Sequence, residues 1–133
     1  MNCFLIDDDP DDQDFFSLAL EELGIQVSLK KAYSGIEAME LLNDITFNPD
    51  IIFIDINMPR MDGWECLNEI KKIDRLKAVP IVIYTTSDNY FRESDLKAKG
   101  VMEFVTKQPG ISSLVVLLDA LFEKMIAKQS YAD

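Results

Sequence analysis

The sequence predicts a single α/β domain built on a doubly wound sheet of five parallel strands. Short apolar runs alternate with segments of helical periodicity from one end of the chain to the other, which is typical of this class. Three of the runs are almost unbroken by polar residues, as expected for strands covered by helices on both faces. The length of 133 residues suits one domain. We therefore expect one domain over residues 1–133.

Five segments have the strand pattern. They are Cys3–Ile6, Gln26–Ala32, Ile51–Ile54, Ile81–Tyr84 and Val101–Val105. In a doubly wound sheet, ligands bind beyond the carboxyl ends of the strands, where the strand order reverses. Functional side chains are therefore expected directly after these segments.

The first two helices have recognisable ends. Asp9 is expected to cap the first helix, with Pro10 at its first position and Gly24 beyond its end. Ser34 and Glu37 have the spacing of a capping box at the start of the second. Helical spacing predicts buried faces made of Phe15, Ala19, Leu20 and Leu23 in the first helix and of Ala38, Leu41, Leu42 and Ile45 in the second.

The last three helices differ in apolar content. The third follows Gly63 and presents Leu67 and Ile70, whereas the fourth, roughly Asp88 to Lys99, has a poor apolar stripe. The fifth, from about Ser112 to Lys128, is apolar over a wide arc. On it, Leu114, Leu117, Leu118, Leu121 and Met125 are expected to face the sheet, and Val115, Val116, Phe122 and Ile126 form a neighbouring stripe that is either further core or a partner surface.

Composition excludes several classes of function. Asp and Glu outnumber Lys and Arg by 24 to 13, for a net charge of −11, which opposes nucleic-acid binding and favours protein partners. The chain has no histidine, so it cannot use imidazole for catalysis or metal binding. Without a membrane-spanning run or a signal sequence, a cytoplasmic location is expected. Cys3 and Cys66 are expected to be reduced structural thiols.

Polar side chains follow four of the predicted strands. Asp7 and Asp8 follow the first, Asp55 the third, Thr85 the fourth and Lys107 the fifth. The helix dipole would account for Asp9, Asp11 and Asp12 at a helix start, but Asp7 and Asp8 precede the cap. Thr85 and Ser87 could simply end a strand and cap a helix, and Lys107 taken alone could be a solvated surface residue.

Asp55 ends an apolar run, where an uncompensated carboxylate would be costly to desolvate. Bringing it together with Asp7 and Asp8 adds repulsion unless a divalent cation and Lys107 neutralise the group. Carboxylate and water ligands suit a hard ion, so Mg²⁺ is the expected cofactor.

Four motifs resemble those of the receiver domains of two-component response regulators, in particular the stand-alone receivers similar to chemotaxis regulators. They are Leu5–Pro10, Asp55–Gly63, Val82–Thr85 and Phe104–Lys107, and the resemblance extends over essentially the whole chain. It implies a flavodoxin-like (β/α)5 fold with strand order 2-1-3-4-5. No output domain is expected, since the predicted fifth helix leaves only a few residues before Asp133. One departure is Gln108, which stands where the family usually has a proline that often follows a cis bond.

The resemblance also implies the role of each site residue. Asp55 would be the phosphoacceptor; Asp8, Asp55 and the backbone carbonyl of Asn57 would bind Mg²⁺, with Asp7 binding through water; Lys107 would pair with phosphoryl oxygens; and Thr85 and Phe104 would be the switch residues. The phosphoryl group would come from a phosphohistidine on a histidine kinase or histidine phosphotransfer protein. A downstream protein, or a second copy of the chain, would bind the face made by the fourth helix, fifth strand and fifth helix.

Such a domain is a phosphoacceptor that catalyses its own phosphorylation and slow dephosphorylation, and not an enzyme in the metabolic sense. Three alternatives are weighed against it. A haloacid-dehalogenase-like phosphatase needs an Asp two residues after the nucleophile, where this chain has Asn57, which cannot act as a general acid. A flavin-binding module would need a loop that attracts phosphate, and Asp7 to Asp9 would repel it. A receiver-like module that no longer accepts phosphate would not need the full set of motif residues.

Overall fold

The computed structural model describes residues 1–86 and 93–131, with only the backbone described at residues 93 and 128–131. Its elements are β1 (Asn2–Ile6), α1 (Pro10–Leu23), β2 (Ser28–Ala32), α2 (Gly35–Leu42), β3 (Ile51–Ile54), α3 (Gly63–Lys71), a 3₁₀ helix (Asp74–Leu76), β4 (Ile81–Thr85), α4 (Glu93–Ala98), β5 (Glu103–Thr106) and α5 (Ile111–Tyr131). The strands form one parallel sheet in the order β2-β1-β3-β4-β5. The predicted fold class and strand order are confirmed.

Alternate residues of the central strands enter two separate cores, because successive side chains of a strand point to opposite faces. In β3, Ile52 and Ile54 pack on the side of α2 and α3, while Ile51 and Phe53 pack on the side of α1 and α5. All four are fully buried. Coverage on both faces explains why this strand has no polar residue.

The predicted helix caps form. The Asp9 side chain accepts hydrogen bonds from the N–H groups of Asp11 and Asp12, and Pro10 is the first residue of α1. Gly24 ends that helix with a φ of 69°, a conformation that costs glycine little. Ser34 caps α2 by accepting from the Glu37 N–H, while the Glu37 carboxylate accepts from the N–H of Tyr33 and not from that of the cap itself.

One predicted burial assignment, that of Ile45, is wrong, and the structure refines two others. Phe15, predicted on the apolar face of α1, is partly buried against the core, and its neighbour Phe16 is the fully buried phenylalanine, because the sheet-facing line runs through Phe16, Ala19 and Leu20. Phe122 belongs to the α5 stripe for which the sequence allows either further core or a partner surface; it is 2% exposed and packs edge-on against Phe53, so at this residue the stripe is core. Ile45, predicted on the buried face of α2, is 76% exposed.

Ile45 is exposed because α2 ends at Leu42, one turn before it. The next residues form a turn in which Asp44 Oδ1 accepts from the N–H and the hydroxyl of Thr46 at 2.9 and 2.6 Å. Arg75, in the 3₁₀ helix, donates to the carbonyl oxygens of Leu42, Asp44 and Phe47. These bonds satisfy carbonyls at the end of α2, so the helical periodicity does not continue to Ile45.

Some element boundaries also differ from the predicted ones. β5 starts at Glu103, and not at Val101, because the Val101 N–H bonds to Leu96 O at 2.8 Å and so closes the end of α4. β2 starts at Ser28 and not at Gln26. Of the predicted fourth helix, the segment from Asp88 to Arg92 lies outside the described residues.

The described peptide bonds are all trans, and no helix in the described ranges is long and apolar enough to cross a membrane.

Candidate functional site

The strand-end residues converge at one edge of the sheet. β1, β3, β4 and β5 lie side by side in that order, so their carboxyl ends bring together Asp7, Asp55, Thr85 and Lys107. Asp7 and Thr85 are fully buried and Asp55 is 5% exposed, whereas Asp8 lies nearer the surface. The expected convergence of these residues is therefore seen in the structure.

The backbone holds Asp55 firmly after β3. Its N–H donates to Ile6 O at 2.9 Å, and its Oδ1 accepts from the N–H of Asn57 at 3.2 Å. The chain then folds back so closely that a Cβ atom on Gly63 would lie 2.5 Å from the Asp55 carbonyl oxygen. A glycine at the start of α3 is thus what allows this helix to pack directly against the loop that carries Asp55.

Lys107 lies among three carboxylates. Its Nζ is 2.8 Å from Asp7 Oδ2, 2.7 Å from Asp12 Oδ2 and 3.3 Å from Asp55 Oδ2. The lysine side chain is 8% exposed, and its Nζ lies 5.7 Å from the centre of the Tyr84 ring. Lys107 is therefore a buried cation of the acidic site and not a solvated surface lysine.

Burial and the neighbouring charges shift the pKa values of Lys107 and Asp7 in opposite directions. Burial alone would lower the pKa of Lys107, but hydrogen bonds to Asp12 and Asp7 outweigh it and raise the pKa above its usual value. Burial raises the pKa of Asp7 to about 6, against the opposing effect of Lys107. The lysine thus stays charged at neutral pH, while Asp7 is the carboxylate most strongly disfavoured by its desolvation.

Thr85 is linked to Asp55 through Asn57. The Asn57 side-chain amide donates to Thr85 Oγ1 at 3.4 Å, and the Lys107 N–H donates to Thr85 O at 2.9 Å. Phe104, two residues before the end of β5, is half-buried against the core on the side of α2 and α3. Ser87, for which the sequence allows a role as a helix cap, lies outside the described residues.

The acidic residues can hold a metal ion. Asp7, Asp8 and Asp55 each offer a carboxylate oxygen, and these oxygens lie within 4.8 Å of one another. Oxygen-only donors suit a hard divalent ion such as Mg²⁺. Lys107 supplies one positive charge to this group, so a divalent cation would offset the carboxylate charge that remains.

Two residues of the site are not predicted by the sequence. The sequence pattern makes Asp12 a helix-dipole residue, yet its carboxylate has the shortest contact with Lys107. Gln13 is fully buried, and its Nε2 lies 3.0 to 3.1 Å from the carbonyl oxygens of Leu5, Asp7 and Ala32, tying α1 to the ends of β1 and β2. Gln13 lies three residues before Phe16 and seven before Leu20, and this helical spacing is the feature of the sequence that indicates its burial.

The two cysteines take no part in this site. Cys3 and Cys66 are buried free thiols, and burial raises the pKa of Cys66 to about 12. Both belong to the hydrophobic cores, as expected for structural thiols.

The geometry suits chemistry on an anion. The nearly buried Asp55 carboxylate lies beside the Lys107 ammonium. Oxygens of Asp7 and Asp8, which can bind a divalent cation together with Asp55, are also close. Preorganised positive charge of this kind stabilises developing negative charge on a transferred phosphoryl group.

The chain is similar to known proteins over most of its length. The family model for the response regulator receiver domain matches residues 3–119. The sensor histidine kinase CheAY of Helicobacter pylori is 32% identical over 102 residues, which are 77% of this chain but 12% of that protein. The phosphorylated cyanobacterial phytochrome response regulator RcpA superposes with a TM-score of 0.79 at 29% identity, covering 96% of this chain and 94% of the other. The Mn²⁺-bound form of the response regulator Rcp1 gives 0.75 at 28% identity, covering 90% of each chain.

Proposed function

This chain belongs to the receiver-domain family of response regulators in two-component signalling, and we propose that it accepts a phosphoryl group on Asp55 and thereby switches a protein-binding surface. The donor is a phosphohistidine on a histidine kinase or a histidine phosphotransfer protein. Because this chain contains no histidine, the phosphohistidine must belong to the partner.

The single observation that carries the proposal is the environment of Asp55. Its carboxylate lies 3.3 Å from the Lys107 ammonium. Asp7 and Asp8 can complete a metal site with it. A buried carboxylate needs a compensating cation, which Lys107 supplies, but folding does not require a metal site beside it as well. Both are needed if that carboxylate must approach a phosphoryl group, which is itself an anion.

In the proposed reaction an Asp55 carboxylate oxygen forms a bond to phosphorus as the bond from phosphorus to the partner's imidazole nitrogen breaks. The imidazole leaves with the bonding electron pair and takes a proton from solvent. Lys107 pairs with the phosphoryl oxygens, and the Thr85 hydroxyl turns towards them. Asn57 does not protonate a leaving group, because an amide has no acidic proton to give.

We assign the metal to Asp8, Asp55 and the backbone carbonyl of Asn57, with Asp7 bound through water. When bound, Mg²⁺ would neutralise charge on the phosphoryl oxygens. The similar response regulator Rcp1 has a Mn²⁺-bound form, and the oxygen donors of this chain would accept either ion.

Phosphorylation can be tested directly by intact-mass measurement after incubation with acetyl phosphate and Mg²⁺. We expect one phosphoryl group per chain in the wild type, and none in the presence of a chelator or in the Asp55→Asn variant. Asparagine nearly matches the shape of aspartate but is a far poorer nucleophile. Full incorporation in Asp55→Asn would reject this assignment, and rapid repeated hydrolysis of a phosphate monoester would instead support a phosphatase.

The metal assignment leads to a second expectation, for the Asp8→Ala variant. Mg²⁺ should bind at least about tenfold more weakly, since even the loss of a group that only orients a metal ligand often has that effect. Without metal, the variant should be as stable as the wild type or more stable, because like-charge repulsion is removed. Calorimetric titration and urea unfolding measure the two effects, with Asp11→Ala, an exposed acid nearby, as the control. Unchanged Mg²⁺ affinity would contradict the assignment of Asp8.

We place the output on the face formed by α4, β5 and α5. A groove of about 780 Å³ between β5 and α5 is lined by Phe104, Val116 and Leu117, among others. Val116 and Ile126 on α5 are 70% and 54% exposed, so part of the extra apolar stripe of this helix is available to a downstream protein or to a second copy of the chain. Phe104 lies between this groove and the core, where a change of rotamer would alter both.

A further inference from the structure

Asp12 has a contact that its position in the sequence does not require. It is the third residue of α1, after Pro10 and Asp11. In a capping box, a Glu or Gln at this position reaches back to the N–H of the cap residue. Here the N–H of Asp9, the cap, already donates to Asp7 Oδ1 at 3.0 Å. The Asp12 carboxylate is therefore not needed for the cap, and it contacts Lys107 instead.

The contacts of Lys107 divide into two kinds. Its ammonium has three N–H donors and three carboxylate oxygens around it, of which Asp55 Oδ2 is the most distant at 3.3 Å. The oxygens of Asp12 and Asp7 lie at 2.7 and 2.8 Å. Lys107 can therefore exchange its contact with Asp55 for one with a phosphoryl group on Asp55 while Asp12 still holds it.

Asp12 and Asp7 are not equivalent partners. Asp7 is fully buried and belongs to the group of carboxylates that can hold a metal ion, so its oxygens have a second task. Asp12 lies outside that group, and its side chain is 35% exposed. It is the partner that can remain on Lys107 when the oxygens of Asp7 turn towards a cation.

From these contacts we infer that Asp12 is a positioning residue for phosphoryl transfer, holding the Lys107 ammonium over Asp55. This inference rests on the proposed function, because it assigns Lys107 to the phosphoryl oxygens. The inference gives Asp12 a task in the reaction through Lys107, although Asp12 lies outside the group of carboxylates that can hold a metal ion.

The test compares Asp12→Ala and Asp12→Asn with Asp11→Asn. Asp11 lies in the same turn of α1 with an exposed side chain, so its substitution removes a similar charge without touching Lys107. The saturating rate of phosphorylation by acetyl phosphate with Mg²⁺ should fall about tenfold in Asp12→Ala, the size expected for one lost charge-assisted hydrogen bond. Asp12→Asn, which keeps an acceptor, should fall less, and Asp11→Asn should match the wild type.

Two further measurements separate positioning from a general effect of charge or folding. In Lys107→Ala, adding Asp12→Ala should change the rate little further, because Asp12 acts through the lysine. In the metal-free protein, NMR should detect a slowly exchanging Lys107 ammonium that is lost in Asp12→Ala and retained in Asp11→Asn. Equal rates for Asp12→Ala and Asp11→Asn, or additive effects in the double variant, would overturn the inference. Absence of phosphorylation in the wild type would instead reject the proposed function, and the NMR result would still test the contact.

Discussion

At the scale of a single residue, the burial of Asp7 has a cost for folding. Its carboxylate is fully buried, and burial raises its pKa from 3.8 to about 6 although Lys107 opposes the change. A folded-state pKa above that of the unfolded chain means that the ionised group destabilises the fold. The penalty is fully present above pH 6 and falls as the pH drops through 6 towards 4, because the folded state then takes up a proton before the unfolded state does.

We therefore expect Asp7→Asn to be more stable than the wild type at pH 7.5, by about 2 to 3 kcal/mol at 1.36 kcal/mol for each pKa unit. The advantage should shrink as the pH is lowered to about 4.5, where a buried neutral Asp7 and an asparagine become similar. Urea unfolding in the presence of a chelator at several pH values measures this. Asp11→Asn serves as a control for loss of charge. A variant less stable than the wild type at pH 7.5 would mean that the ion pair with Lys107 outweighs the cost of burial.

At the scale of an element, the end of α2 is held by a residue distant in sequence. The Arg75 guanidinium donates to the carbonyls of Leu42, Asp44 and Phe47 and to Asn48 Oδ1. The last carbonyls of a helix lack partners within the helix, and a planar guanidinium can serve several of them at once. Arg75 thereby links α2 and the loop leading to β3, the strand that carries Asp55 at its end, to the 3₁₀ helix before β4.

Replacement of Arg75 by Met, which keeps an unbranched stem but removes the donors, should lower the free energy of unfolding by about 2 kcal/mol, as for loss of hydrogen bonds from a charged donor. Hydrogen exchange should accelerate in residues 42–48. The matched control is Lys77→Met, since Lys77 lies in the same segment in an exposed ion pair with Asp74 at 2.8 Å, and pairs of that kind contribute about 0 to 1 kcal/mol. Equal losses in the two variants would contradict the assigned role of Arg75.

At the scale of the whole molecule, the acidic site and the proposed output face lie on different parts of the same sheet. Lys107 follows β5 directly, and Phe104 lies within that strand. Phe104 pairs in register with Ile83 of β4, and Thr106 pairs with Thr85. In the proposed mechanism, a shift of Thr85 towards a phosphoryl group would pass through these neighbouring strand positions to the side chains that line the groove beside α5.

We expect beryllofluoride, which replaces the aspartyl phosphoryl group, to change hydrogen-exchange protection within residues 93–126 and to promote binding through the α4-β5-α5 face. Val116→Glu should leave phosphorylation intact but weaken that association at least about tenfold, since it places a charge in an apolar contact. Leu18→Glu, on an exposed part of α1, is the control for surface charge. Sedimentation with and without beryllofluoride measures assembly. Unchanged protection across residues 93–126 would exclude this face as the output.

The helix starts and the buried strands can be predicted from the sequence because the signals for them lie in neighbouring residues. The Asp9 cap with Pro10, the capping serine Ser34 and the apolar run of β3 each depend on neighbouring residues. The convergence of Asp7, Asp55, Thr85 and Lys107 is also predictable, because the carboxyl ends of parallel strands share one edge of the sheet.

The tertiary structure decided what depends on partners distant in the sequence. In the sequence, Asp12 is explained by the dipole of α1. The structure places its carboxylate 2.7 Å from the ammonium of Lys107, which lies 95 positions later in the chain. Ile45 continues the helical pattern of α2, but the helix ends at Leu42, where Arg75 bonds to its carbonyl. Phe122 is buried in a core built from several distant segments, among them the one that carries Phe53. The periodicity of apolar residues predicts which side of a helix is buried. It does not predict the residue at which the helix ends or which distant segments pack against it. Those outcomes depend on packing and electrostatics between segments, which no local pattern contains.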